Sequence, residues 1–162
     1  MELLRIYLQD HLASATGAVE LAKRTRDANR GGEFEQPLVA LHEQLVADRS
    51  ALLDAMRRLG LAPDRLKVGA AWAAEKAGRL KLNGRVRGYS PLSRVVELEG
   101  LRLLVLGQRE MWATLDRTLA GDARLVGVDA DGRAAALDDA LAGIADLHRR
   151  ATALAFAPAP GA

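Results

Sequence analysis

Cysteine is absent from the chain, which excludes disulfides, thiol nucleophiles and thiolate metal sites together. Aromatic residues make up only 4% of the sequence, so any core has to be built from Leu, Val and Ala. No stretch approaches the ~18 uninterrupted apolar residues of a membrane span. The start, Met1-Glu2-Leu3-Leu4-Arg5, has neither the basic end nor the apolar run of a signal peptide. A soluble, cytoplasmic protein is expected. Glycine-rich phosphate loops, serine-hydrolase elbows and zinc-protease helices are all missing from the sequence. The net charge is only +2, too small to imply nucleic-acid binding over the whole surface.

What is present is long helical periodicity. The chain has 162 residues, enough for one domain with a sizeable core, and 49% of them are hydrophobic, which argues against disorder. Apolar residues recur at three- and four-residue steps in four long segments. The first covers roughly 2–29, with Leu4, Leu8, His11, Ala15, Ala18, Ala22 and Thr25 on one face. The second covers roughly 36–59, with Leu38, Leu41, Leu45, Asp48, Leu52, Ala55 and Leu59. The third, roughly 91–120, starts at Ser90-Pro91 and carries Leu98, Leu101, Val105, Gln108, Trp112, Leu115 and Leu119. The fourth, roughly 131–156, is capped by Asp129 or Asp131 and carries Leu137, Leu141, Ile144, Leu147, Ala151 and Leu154. Residues 1–157 form one bundle domain on this reading, and 158–162 form a frayed tail.

The connections run short, long, short. Between Gly60 and Ser90 the sequence predicts a shorter helix at about 64–82, with a hairpin around Asn83-Gly84 as its rival over 79–88. Two antiparallel hairpins joined by one long crossover is the connectivity of ferritin-like bundles. The segments Tyr7-Leu-Gln-Asp-His-Leu-Ala, Trp72-Ala-Ala-Glu-Lys-Ala-Gly-Arg-Leu-Lys-Leu-Asn-Gly and Ser90-Pro-Leu-Ser-Arg carry a more particular likeness. On these the chain resembles the ferritin-like superfamily, and within it a set of actinobacterial members with no assigned activity. The resemblance implies an all-α, ferritin-like four-helix bundle and no particular chemistry. Di-iron and di-manganese members need a Glu on each of two helices and Glu-x-x-His on the other two. The residues three places before His11, His42 and His148 are Leu8, Val39 and Ala145, so that motif does not occur. No catalytic residue is predicted, and no cofactor.

Two constellations remain. Asp48 and Glu97 fall on or beside core stripes, as do His11, His42 and His148. A buried charge needs a partner or a metal. If these side chains met, a non-standard iron, manganese or zinc site or an oxidase would be the alternative function. Arginine pairs explain the same residues structurally: Asp48 with Arg94 or Arg109, and Glu97 with Arg49. The second constellation is a run of bases without an acid: Lys76, Arg79, Lys81, Arg85, Arg87 and Arg94. It would suit an acidic protein, nucleic acid or an anionic membrane. The leading expectation is a non-enzymatic bundle acting through a protein partner or as a homodimer, with Trp72 and the basic run at the contact.

Overall fold

The computed structural model describes residues 2–62 and 89–157. The expected helix at 64–82, its hairpin rival, Trp72, the tail, and Lys76, Arg79, Lys81, Arg85 and Arg87 lie outside the described residues. Four long helices account for most of what is described, with no strand among them. They are α1 (Glu2–Ala28), α2 (Glu35–Arg58), α3 (Pro91–Leu119) and α4 (Ala130–Ala155), with a single 3-10 turn at Ala123–Leu125 before α4. No described helix is long and apolar enough to cross a membrane.

Local chemistry sets the ends. Gly60, at φ 74°, takes the left-handed conformation that stops α2. There Leu61 N–H bonds back to Met56 O at 2.9 Å and Gly60 N–H to Arg57 O at 3.0 Å, the paired closure of a glycine-terminated helix. α3 opens on a capping box: Ser90 Oγ accepts from Ser93 N–H at 3.1 Å, and Ser93 Oγ accepts from Ser90 N–H at 3.4 Å. Asp129 caps α4 by accepting from Gly132 N–H at 2.9 Å.

Neighbouring helices run antiparallel around the bundle. Arg26 meets His42 and Gln9 meets Ala62, which fixes α1 against α2. Arg24 meets Glu97 and Gln108 meets His11, which does the same for α1 and α3. Arg109 with Asp138 and His148 with Glu99 join α3 to α4. Gln44 with Ala136 and Glu33 with Arg150 join the α2 side to α4. The α2–α4 seam is much more sparsely packed than the other three. Ala62 sits by Gln9 near the start of α1, whereas Tyr89 sits by Asn29 just past its end. About 30 Å of helix separates these two points.

The core holds Trp112, Leu8, Leu38, Leu52, Leu98 and Met111, all fully enclosed. Every α2 position expected on the core stripe is buried, Asp48 included. On α4 the stripe is displaced: Ala134 and Ala140 are buried, Leu141 is half-buried and Leu154 is 50% exposed. Arg150 of α4 is level with Glu33, so α2 offers nothing beyond that point to cover the last turn of α4. Besides Asp48, the buried polar residues are Gln9, Thr16, Thr25, Asn29 and Gln108. Gln9 Nε2 donates to Ala62 O at 2.6 Å, and Thr16 Oγ1 donates to Leu12 O one turn back at 2.9 Å.

The Ser90 cap is accessible to a direct test. Ser90→Ala removes the acceptor for the Ser93 amide and should cost about 1 kcal/mol. The expected result is a lower urea midpoint with an unchanged slope, since the surface exposed on unfolding does not change.

Candidate functional site

At the centre of the bundle, Asp48 of α2 accepts a hydrogen bond from Trp112 Nε1 of α3 at 2.7 Å. Asp48 is 5% exposed and Trp112 is fully enclosed. Arg133 of α4 completes the group. Its Nη1 lies 4.0 Å from Asp48 Oδ1, and its guanidinium carbon lies 5.4 Å from the centre of the Trp112 ring. The cation therefore faces both the carboxylate and the π surface. The pairing is incomplete, because Asp48 Oδ2 and Arg133 Nε are enclosed without a hydrogen-bond partner.

That incompleteness has an electrostatic consequence. Burial disfavours the charged carboxylate more than the Trp112 N–H and Arg133 favour it, and the Asp48 carboxyl is pushed up to about 6. One turn away on α3, Gln108 Nε2 donates to His11 O at 3.2 Å, while Gln108 Oε1 and His11 Nδ1 are enclosed without partners. Burial also lowers His11, so its neutral form is favoured. Its ring meets the Tyr7 ring edge-on at 4.4 Å between centres.

The remaining residues of the predicted constellation do not join this group. Glu97 lies toward the opposite end of the α1–α3 interface. There its Oε1 accepts from Arg24 Nε at 3.1 Å and its Oε2 from the Tyr89 hydroxyl at 3.0 Å. His42 Nδ1 accepts from Arg26 Nη1 at 3.1 Å, and burial followed by the Arg26 charge lowers its pKa. His148 Nε2 meets Glu99 Oε1 at 3.1 Å on the α3–α4 surface. Among the described residues no group of three or more metal-ligating side chains comes together. Asp48, Glu97, His11, His42 and His148 occupy separate settings.

The arginine partners also differ from expectation. Asp48 pairs with Arg133 and not with Arg94 or Arg109; Glu97 pairs with Arg24 and not with Arg49. Arg109 is held by Asp138 at 3.1 Å. Arg94 is turned inward. Its Nε donates to Asn29 Oδ1 at 2.6 Å, and its guanidinium stacks 4.2 Å from the Phe34 ring centre. Arg94 is half-buried and engaged with Asn29 and Phe34. Its neighbour Tyr89 accepts from Asn29 Nδ2 at 3.0 Å, and burial and Glu97 raise its hydroxyl pKa.

Arg133 was not foreseen, although a signal exists. It sits in the first turn of α4, where the helix dipole disfavours a cation. A base in that position invites a search for a buried acid. A surface feature escaped periodicity altogether: a groove of about 420 Å³ runs along the α2–α4 seam, lined by residues from Pro37 to Gln44 and from Ala136 to Arg150. Asp48 does not line it. Against known proteins, the chain matches no family model, no curated protein and no solved structure.

The raised Asp48 carboxyl makes a signed prediction. Between the ordinary 3.8 and about 6 the native state holds a proton that the unfolded chain has released. Stability therefore falls as pH rises through that window and stays lower above it, by roughly 3 kcal/mol from this group. Asp48→Asn keeps an acceptor for Trp112 and removes the buried charge. In urea unfolding followed by far-ultraviolet circular dichroism, the variant should be more stable than wild type at pH 8 and match it near pH 4. A variant less stable at pH 8 would mean that the Arg133 attraction exceeds the burial cost.

Proposed function

We propose that this chain is a ferritin-like four-helix bundle that acts by holding a protein partner, as a binding module and not as a catalyst. The observation that carries this reading is the contrast between core and surface. The candidate polar groups stand in separate pairs and short networks and do not converge, Asp48 with Trp112 and Arg133, Glu97 with Arg24 and Tyr89. The surface, in turn, carries a groove along the α2–α4 seam. The ferritin-like connectivity is supported by the two antiparallel hairpins and by the placement of Ala62 and Tyr89 at opposite ends of α1. The rival is a metal centre using Asp48 with a histidine, and it draws on the unpartnered Asp48 Oδ2 and His11 Nδ1.

The test has two arms on untagged protein. Elemental analysis, before and after incubation with iron, manganese and zinc, should find no stoichiometric metal that depends on Asp48 or Glu97. Purification from the native host at endogenous level should give a partner at fixed stoichiometry. Stoichiometric metal lost in Asp48→Ala or Glu97→Ala would overturn the proposal in favour of the metal centre. A chain that is always recovered alone and monomeric would overturn it as well.

A further inference from the structure

A second pocket, of about 280 Å³, opens at the end of the bundle where α1 turns into α2 and α3 begins. Arg94 of α3 lines it, together with Asn29 and Phe34 of the turn. A cation taken partly out of water ordinarily has a carboxylate beside it. Arg94 is half-buried and forms no ion pair among the described residues. Its Nε donates to Asn29 Oδ1 at 2.6 Å, and no described acceptor takes Nη1 or Nη2.

The guanidinium is nevertheless held in place. Its carbon lies 4.2 Å from the centre of the Phe34 ring and 5.9 Å from that of Tyr89. Phe34 is itself only 2% exposed, and Arg150 lies over the same ring at 5.0 Å. The stacking and the bond at Nε fix the plane of the fork and leave the edge between Nη1 and Nη2 free to donate. Two donors in one plane match the two oxygens of a carboxylate.

Neighbouring acids do not supply the missing charge. Asn29 Nδ2 donates to the Tyr89 hydroxyl, which donates to Glu97, but Glu97 already accepts from Arg24 at 3.1 Å. This chain of hydrogen bonds joins two arginines to one carboxylate through two neutral side chains. Arg30, the other base of the lining, shares Asp27 with Arg26, at 3.0 and 2.8 Å. The acid of the lining, Glu33, is held by Arg150 at 2.6 Å. Glu35, outside the lining, accepts from Gly31 N–H at 2.8 Å. Arginines outnumber carboxylates around the pocket. The lining also contains Ala28 and Leu154, the latter 50% exposed. Inorganic phosphate would leave these apolar groups unused, whereas an anion carrying an apolar group would cover them.

We infer that this pocket is a binding site for a small organic carboxylate, its two oxygens on the Nη1–Nη2 edge of Arg94 and its apolar group against Ala28 and Leu154. The site goes beyond the partner-binding reading above, and neither depends on the other.

Benzoate is the probe, with benzamide as its uncharged counterpart and inorganic phosphate as an anion without an apolar group. Each is titrated into the 15N-labelled full chain, and the Arg94 Nε–H and the Gly32 and Phe34 amides are followed by nuclear magnetic resonance. Benzoate should shift these signals saturably, with a Kd of about 1–10 mM for a ligand of this size. Benzamide and phosphate should each bind about tenfold or more weakly. Arg94→Lys keeps the charge but loses the fork and the Asn29 bond, and should weaken benzoate about tenfold. Leu154→Glu, a half-exposed position in the last turn of α4, should retain the helical circular dichroism of wild type. It sets an acid against the bound carboxylate and should weaken benzoate about tenfold or more. Should Arg94→Lys fail to fold, Leu154→Glu decides alone.

Absence of a saturable benzoate shift at these signals would overturn the inference, as would equal binding of benzamide or undiminished binding to a folded Leu154→Glu. Phosphate bound as tightly as benzoate would make the pocket a general anion site and overturn the carboxylate assignment.

Discussion

The hydrogen bond from Trp112 to Asp48 crosses the bundle diagonal, joining α2 to α3 through the core. Burial of Leu and Ala drives the helices together, but it is non-directional and leaves the rotation of each helix weakly specified. A short bond between an indole and a carboxylate fixes one rotation of α2 against one rotation of α3. Arg133, brought over the indole, ties α4 to the same point. The ion pair itself is one-sided, since Asp48 is buried while the Arg133 side chain is 37% exposed, and a buried charge gains little net stability when the cost of desolvation approaches the attraction. Here burial raises the Asp48 carboxyl despite the Trp112 hydrogen bond and the Arg133 charge, so the cost of desolvation outweighs what the two partners return.

The same group bears on the α2–α4 seam. That seam is spanned by Arg150 with Glu33, Gln44 with Ala136, and Arg133 with Asp48. All three are polar tethers, and the groove lies within the span they define. Elsewhere in the bundle apolar side chains interdigitate and close the interface. On this side α2 and α4 are joined by hydrogen bonds and ion pairs, and the trough between them lies over buried apolar side chains such as Leu41 and Ile144. The open seam is thus a property of how the two hairpins are joined and not a local packing fault.

The limits of the four long helices were legible in the sequence because capping is local chemistry. Ser90 with Ser93, Asp129 with Gly132, and Gly60 with Leu61 act within a few residues of one another. The α2 stripe was legible for a related reason: seven positions in step leave one rotation, and Asp48 belongs to it. Partners were not legible, because pairing depends on the register between helices distant in sequence. A shift of one turn moves a side chain by about 5.4 Å, more than an ion pair tolerates. Arg94 lies several turns before Trp112 on α3, at the bundle end with Phe34 and Asn29, and cannot reach Asp48. The metal candidates failed to meet for the same reason. Stripe membership gives each residue a face but not a level along the bundle.

Glycines show most clearly where a cause has to be sought outside the fold. Gly100 of α3 has an internal explanation, since a Cβ there would stand 3.2 Å from Leu21 Cδ2 and crowd α1. Gly132 has another, because a Cβ would displace the Asp129 carboxylate that caps α4. Gly143 has neither a close neighbour nor a left-handed backbone. Gly17 and Gly107 share its open surroundings, but they belong to α1 and α3, whose mutual seam is well packed. Gly143 alone of these three lines the groove left open between the hairpins. Like Gly17 and Gly107, Gly143 weakens its own helix without relieving any internal crowding, so packing within the described fold accounts for none of the three.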